Sequence, residues 1–193
     1  MQRSLALTIV ATALIAAAPL AYAQMPMKGM EMKGAARPYA GQQAREIKAL
    51  SPEEIGQYLS GAGMGYAKPA ELNGYPGPMH VLENADGLAL TPEQRKQTTA
   101  LMQAHKEDAK AIGAKLVAAE RELDSLFRAK TAERAALEKA VSAAAQMQAS
   151  YRLSHLETHL RMRDLLTPEQ IAQYDVLRGY AGGSSDQHQH GKH

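Results

Sequence analysis

The sequence has no cysteine and no tryptophan, and its 193 residues include one phenylalanine, Phe127. Without thiols there are no disulfide staples and no thiolate ligands, so a bound metal must be held by His, Met or carboxylate. So few large aromatics among so many alanines leave a thin core, which suits long paired helices better than a two-layer globule. A dominant charge is missing too: 22 Lys and Arg stand against 20 Asp and Glu, a balance with no footprint for nucleic acid. There is no Gly-rich phosphate loop, and no Ser/His/Asp set that a thin helical protein could shield from water. The chain therefore reads as a binding protein and not an enzyme.

Long apolar runs are scarce as well. The one present, Leu5 to Ala18, follows Arg3 and closes on Ala21-Tyr22-Ala23. Pro19 ends it short of the roughly 20 residues that span a bilayer. It reads as a secretory leader cut after Ala23, which sends the remainder to the periplasm with no transmembrane segment.

Residues 24–49 are rich in Gly, Met and Lys without periodicity and read as a flexible tail. Residues 61–78 hold five glycines and three prolines, a breaker-rich connector. Residues 181–193 are polar and His-rich. The folded domain is expected over 50–180.

Inside it one pattern recurs three times: Leu50-Ser51-Pro52-Glu53-Glu54, Leu90-Thr91-Pro92-Glu93-Gln94 and Leu166-Thr167-Pro168-Glu169-Gln170. Ser or Thr is the N-cap, and the Glu or Gln three residues on reaches back to the cap amide. Pro fits the first helical position, where an N–H would be unpaired anyway. From Pro92 an apolar seam runs through Thr98, Met102, His105, Ala109, Ile112, Leu116, Ala119, Leu123 and Leu126 in steps of four and three. Thr131 is expected to cap a second long helix reaching Leu165, with Leu137, Val141, Leu153, Leu156 and Leu160 as its apolar positions. The short link between them forces an antiparallel hairpin. Short helices are expected over His80–Leu88 and from Pro168. The fold class is thus all-α, a long helical hairpin with short flanking helices. Its Ala-rich faces bury little alone, so a homodimer is expected.

A leader peptide, a long hairpin and Leu-Thr-Pro-Glu-Gln at both 90–94 and 166–170 resemble the LTxxQ family of periplasmic proteins. This is the Spy/CpxP-like group, which also takes in ZraP-type and CnrX-type heavy-metal sensors. The likeness covers residues 78–180. It implies an all-α fold, often a cradle-shaped dimer. It implies one of two roles: metal binding, or ATP-independent chaperoning (a holdase for unfolded periplasmic proteins) and envelope-stress regulation through a membrane-bound partner. In the metal-sensing branch a His-x-x-x-Met lies on the last long helix. Here Met162 holds the Met position and Thr158 stands where that His would be. That branch also implies His-x-x-x-His near 80 and a Glu on the next helix, whereas this chain has His80 alone.

The residues themselves offer candidates. His155 and His159 lie on one helical face with Met162 one turn on. A turn centred near Ala129 sets residue 105 level with about 153, so His105 points toward His155. His80 and Glu83, three apart on a short helix, approach the same end. These side chains are read either as a metal site or as core and surface histidines bonded to carbonyls and water, and their convergence brings the metal reading level with the other. Met25, Met27, Met30 and Met32 form a second candidate. Four thioethers in eight residues suit Cu(I) better than zinc or nickel. His188, His190 and His193 form a third, weaker tract. The implied cofactor is a metal ion, with copper favoured over zinc or nickel.

Overall fold

The computed structural model describes residues 38–181, and the described residues form helices and turns with no strand. Six α-helices follow in order: α1 (Pro52–Ser60), α2 (Lys68–Glu71), α3 (Pro78–Glu83), α4 (Pro92–Arg128), α5 (Arg134–Leu165) and α6 (Pro168–Leu177). The antiparallel pair α4 and α5 is the frame on which the shorter helices pack.

All three repeated motifs form capping boxes. Ser51 accepts from Glu54 N while Glu54 accepts from Ser51 N, and the Thr91–Gln94 and Thr167–Gln170 pairs do the same. The two Gln-containing copies also grip each other. Gln94 Nε2 donates to Gln170 Oε1 at 2.8 Å, and Gln170 Nε2 donates back to Gln94 Oε1 at 3.1 Å. Gln94 Nε2 further donates to Leu165 O, and Gln170 Nε2 to Leu88 O. The motif is therefore both a helix start and a tie across the open end of the hairpin.

Three expectations change. Thr131 does not cap α5, whose N-cap is Glu133 with no side-chain bond. The Thr131 N–H instead donates to Leu126 O, and Lys130 N donates to Phe127 O with Lys130 at φ 57°. This Schellman closure of α4 uses the amide of Thr131, so the next helix starts later. On α5 the buried positions are Ala140, Ala144, Tyr151, His155, Thr158 and Met162, while Val141, Leu153 and Leu160 face outward. Small alanines let the helices approach near the turn, and the bulkier leucines are left outside. Finally, residues 46–48, expected in the tail, are packed. Ile47 is fully buried, Arg121 pairs with Glu46 at 2.8 Å, Arg128 donates to Glu46 O, and Lys48 N donates to Asp124. Packing on α4 thus reaches back to residues 46–48, ahead of the expected 50.

Buried apolar residues form two clusters. One, toward the hairpin turn, gathers Ile47, Tyr58, Ala109, Leu116, Val117 and Tyr151. The other, at the open end, gathers Val81, Ala85, Leu88, Leu90, Leu101, Met162, Leu166 and Tyr174. Helix α1 crosses α4 at Gly113, where an added Cβ would sit 2.1 Å from Tyr58 O. Only glycine permits that approach.

Candidate functional site

Along α4 and α5 one stretch separates the two clusters. On α4 it holds Met102 and His105, between Leu101 and Ala109; on α5 it holds His155, Thr158 and His159, between Tyr151 and Met162. These five residues line a cavity of about 520 Å³ that the connector and α3 close from the other side. His105 and His155 come together as the hairpin spacing requires, and His159 lines the same cavity.

The rings of His105 and His155 stand 4.5 Å apart, edge to face. Tyr151 packs edge-on against His155 at 4.8 Å, and Tyr66 stacks parallel to it at 6.4 Å. His155 is 4 % exposed. Its Nε2 and the Nδ1 of His105 are buried with no hydrogen-bond partner. A buried polar atom left unpaired is unfavourable by about 1–3 kcal/mol, so these nitrogens are not ordinary satisfied core atoms. Burial lowers the pKa of both rings, that of His155 to about 4, with His105 and His159 adding repulsion. Both imidazoles are neutral near pH 7, and a neutral ring has a lone pair to offer a metal.

His159 is held differently. Its Nδ1 lies 2.7 Å from Tyr75 O. A carbonyl only accepts, so Nδ1 carries the hydrogen and Nε2 is left with its lone pair. A ring fixed this way through its second nitrogen is the usual arrangement behind a metal-ligating histidine. Gly77 packs against its ring: a Cβ there would lie 2.9 Å from His159 Cε1.

The other sequence candidates fall elsewhere. Met162 is fully buried in the open-end apolar cluster and does not line the cavity. Its place on the inward face made it core. Glu83 is exposed at the end of α3. His80 lines the cavity, but its Nδ1 bonds Glu71 Oε1 at 3.1 Å. Met25, Met27, Met30, Met32 and the C-terminal histidines lie outside the described residues.

The carboxylate at the site is Glu71, which the sequence reading missed. It is 8 % exposed and accepts from Gly77 N at 3.1 Å, His80 Nδ1, Tyr174 Oη and Tyr180 Oη. Arg178 Nε and His159 Nδ1 each stand 3.7 Å from it. The Tyr174 phenol is pushed up by burial and by this carboxylate. Glu71 thereby joins α2, α3, α5 and α6, with three donors on Oε1 and one on Oε2. Among the described residues no three His, Asp or Glu side chains are gathered to hold a metal ion.

A family model described as heavy-metal resistance matches residues 59–173, more than half of the chain. That span contains the hairpin, both Leu-Thr-Pro-Glu-Gln motifs and every cavity-lining residue except Tyr180. No curated protein and no solved structure gives a significant match.

Proposed function

Since the chain belongs to the heavy-metal resistance family, we propose that it is a periplasmic protein that binds a heavy-metal ion in the cavity between the hairpin and its connector. The metal is cargo, to be sequestered or reported, and no catalysis is needed. The observation that carries this reading is the pair of buried, unpartnered nitrogens, His105 Nδ1 and His155 Nε2, on two rings in contact. An imidazole lone pair facing neither water nor donor is stabilised by a ligand that accepts it, and a metal ion is such a ligand. His159, fixed by Tyr75 O, also lines the cavity.

Binding to the folded state raises its stability by mass action. Saturating Cu(I), Cu(II), Ni(II) and Zn(II) are therefore added separately at pH 7.5, and at least one should raise the melting temperature. His105→Phe with His155→Phe should keep the helical content and abolish the shift. Absence of any shift in the parent would remove the cavity as a metal site.

A second reading rests on a different feature. Leu153 and Leu160, seven residues apart on one outer face of α5, are about half exposed, at 53 % and 52 %. Such a face suits a second copy of the chain in a homodimer, or unfolded clients of a holdase. Sedimentation velocity at micromolar concentration should show a dimer that Leu153→Lys with Leu160→Lys converts to monomer. A parent that sediments as a monomer and suppresses client aggregation would put the holdase reading first.

A further inference from the structure

We infer that the cavity is a soft-cation site for Cu(I) or Ag(I), in which the thioethers of Met64, Met79 and Met102 complete the ligand set begun by His105 and His155. This rests on the reading that the cavity binds metal, and it names the class of ion. Four observations carry it.

The first is which side chains share the cavity. Met102 comes from α4, three residues before His105 and so on the same helical face. Met64 comes from the connector and Met79 from α3, and all three line the cavity with the histidines. Thioether sulfur is soft and neutral, and it selects Cu(I) over zinc, nickel and other borderline ions.

The second is the backbone at Met64. It sits at φ 46° between Gly63 and Gly65, in a left-handed conformation that favours glycine. A glycine would relax this position. The Met64 side chain both packs against the turn-side apolar cluster and lines the cavity wall, so the strained position brings a thioether to the site.

The third is the state of the one buried carboxylate. Glu71 accepts from Gly77 N, His80, Tyr174 and Tyr180, so it is bound up in the wall. Glu71 is the one carboxylate among the cavity-lining residues, and with no trio of His, Asp or Glu gathered among the described residues, the other donors at hand are imidazoles and thioethers. Such a set suits a low-coordinate monovalent ion and leaves a divalent charge uncompensated.

The fourth is the charge at the rim. Lys68 and Lys106 also line the cavity. Their repulsion of a divalent ion is twice that of a monovalent one.

The test uses the full chain with Met25, Met27, Met30 and Met32 changed to Leu, so that the N-terminal thioethers do not compete. Cu(I) under reducing conditions, Ag(I), Zn(II) and Ni(II) are each titrated against chromophoric chelators, with imidazole NMR reporting on His105 and His155. The expected result is Cu(I) and Ag(I) binding at one site at least about 100-fold tighter than Zn(II) or Ni(II), with both rings perturbed. X-ray absorption of the Cu(I) form should show sulfur in the first shell. Met64→Leu, Met79→Leu and Met102→Leu together should weaken Cu(I) at least about tenfold at unchanged helical content, because Leu replaces Met at nearly equal volume. If Zn(II) or Ni(II) binds as tightly as Cu(I), or the Leu variant keeps full Cu(I) affinity, the soft-ion inference is overturned while the metal reading stands. If no ion perturbs either ring, the metal reading itself falls.

Discussion

Placing a proton on His155 puts a charge among Tyr151, Tyr66 and His105, and burial holds its pKa near 4 against an ordinary 6.5. The unfolded chain takes up that proton as pH falls through 6.5, and the folded chain does not until about pH 4. Folded and unfolded forms are equally neutral above that window, so stability is full there and is lost progressively on acidification. After allowance for solvent screening the loss is on the order of 1–2 kcal/mol. Urea midpoints at pH 7 and pH 5 should differ in the parent and converge in His155→Phe; an unchanged gap would place the acid sensitivity elsewhere. The lowered pKa also keeps the ring free of protons at mildly acid pH, so metal-induced stabilisation should persist at pH 5.5, where an ordinary histidine site has lost its ion. Gly113→Ala makes a separate residue-scale prediction. The new methyl meets Tyr58 O at 2.1 Å, so α1 must move, and the overpacking should cost about 1–3 kcal/mol despite better helix propensity. A melting temperature equal to the parent's would show that α1 yields freely.

The helix starts carry effects that a single side chain does not. Thr91→Ala removes one acceptor of a capping box and should cost about 1 kcal/mol. Gln94→Glu retains an acceptor for Thr91 N but replaces the amide that donates to Leu165 O and Gln170 Oε1. It should therefore cost more, about 2–3 kcal/mol, since it leaves both acceptors facing a carboxylate. In a Gln94→Ala, Gln170→Ala double-mutant cycle the losses should fall short of additive, read from denaturation midpoints. Strict additivity would mean the two motifs act independently. The three helix starts were legible in the sequence because capping is local chemistry. The meeting of His105 with His155 was legible too, because a short turn fixes the register of a hairpin. The start of α5 was not, since the Thr131 amide is committed to closing α4. Nor was Glu71: it reaches His80 through a connector whose glycines and prolines erase any periodic signal. Glu83, near His80 in sequence, points to solvent instead. Met162 has ligand spacing but lies on the face that the apolar cluster covers.

At the scale of the whole molecule, the described chain is a lever with packing at both ends and a cavity between. Residues 46–48 fasten α4 on the turn side through Glu46, Ile47 and Lys48. The Gln94–Gln170 tie and Glu71 fasten the open end. Two apolar clusters joined only through helices should open as separate cooperative units. Amide exchange should then resolve two groups of protected positions, one around Leu116 and Tyr151 and one around Leu101 and Met162, with different opening free energies. An ion held by α4, α5 and the connector should merge them, slowing exchange at both ends at once. The signal of binding would thus reach residues many turns from the ligands, carried by the loss of independent motion and by no change of shape.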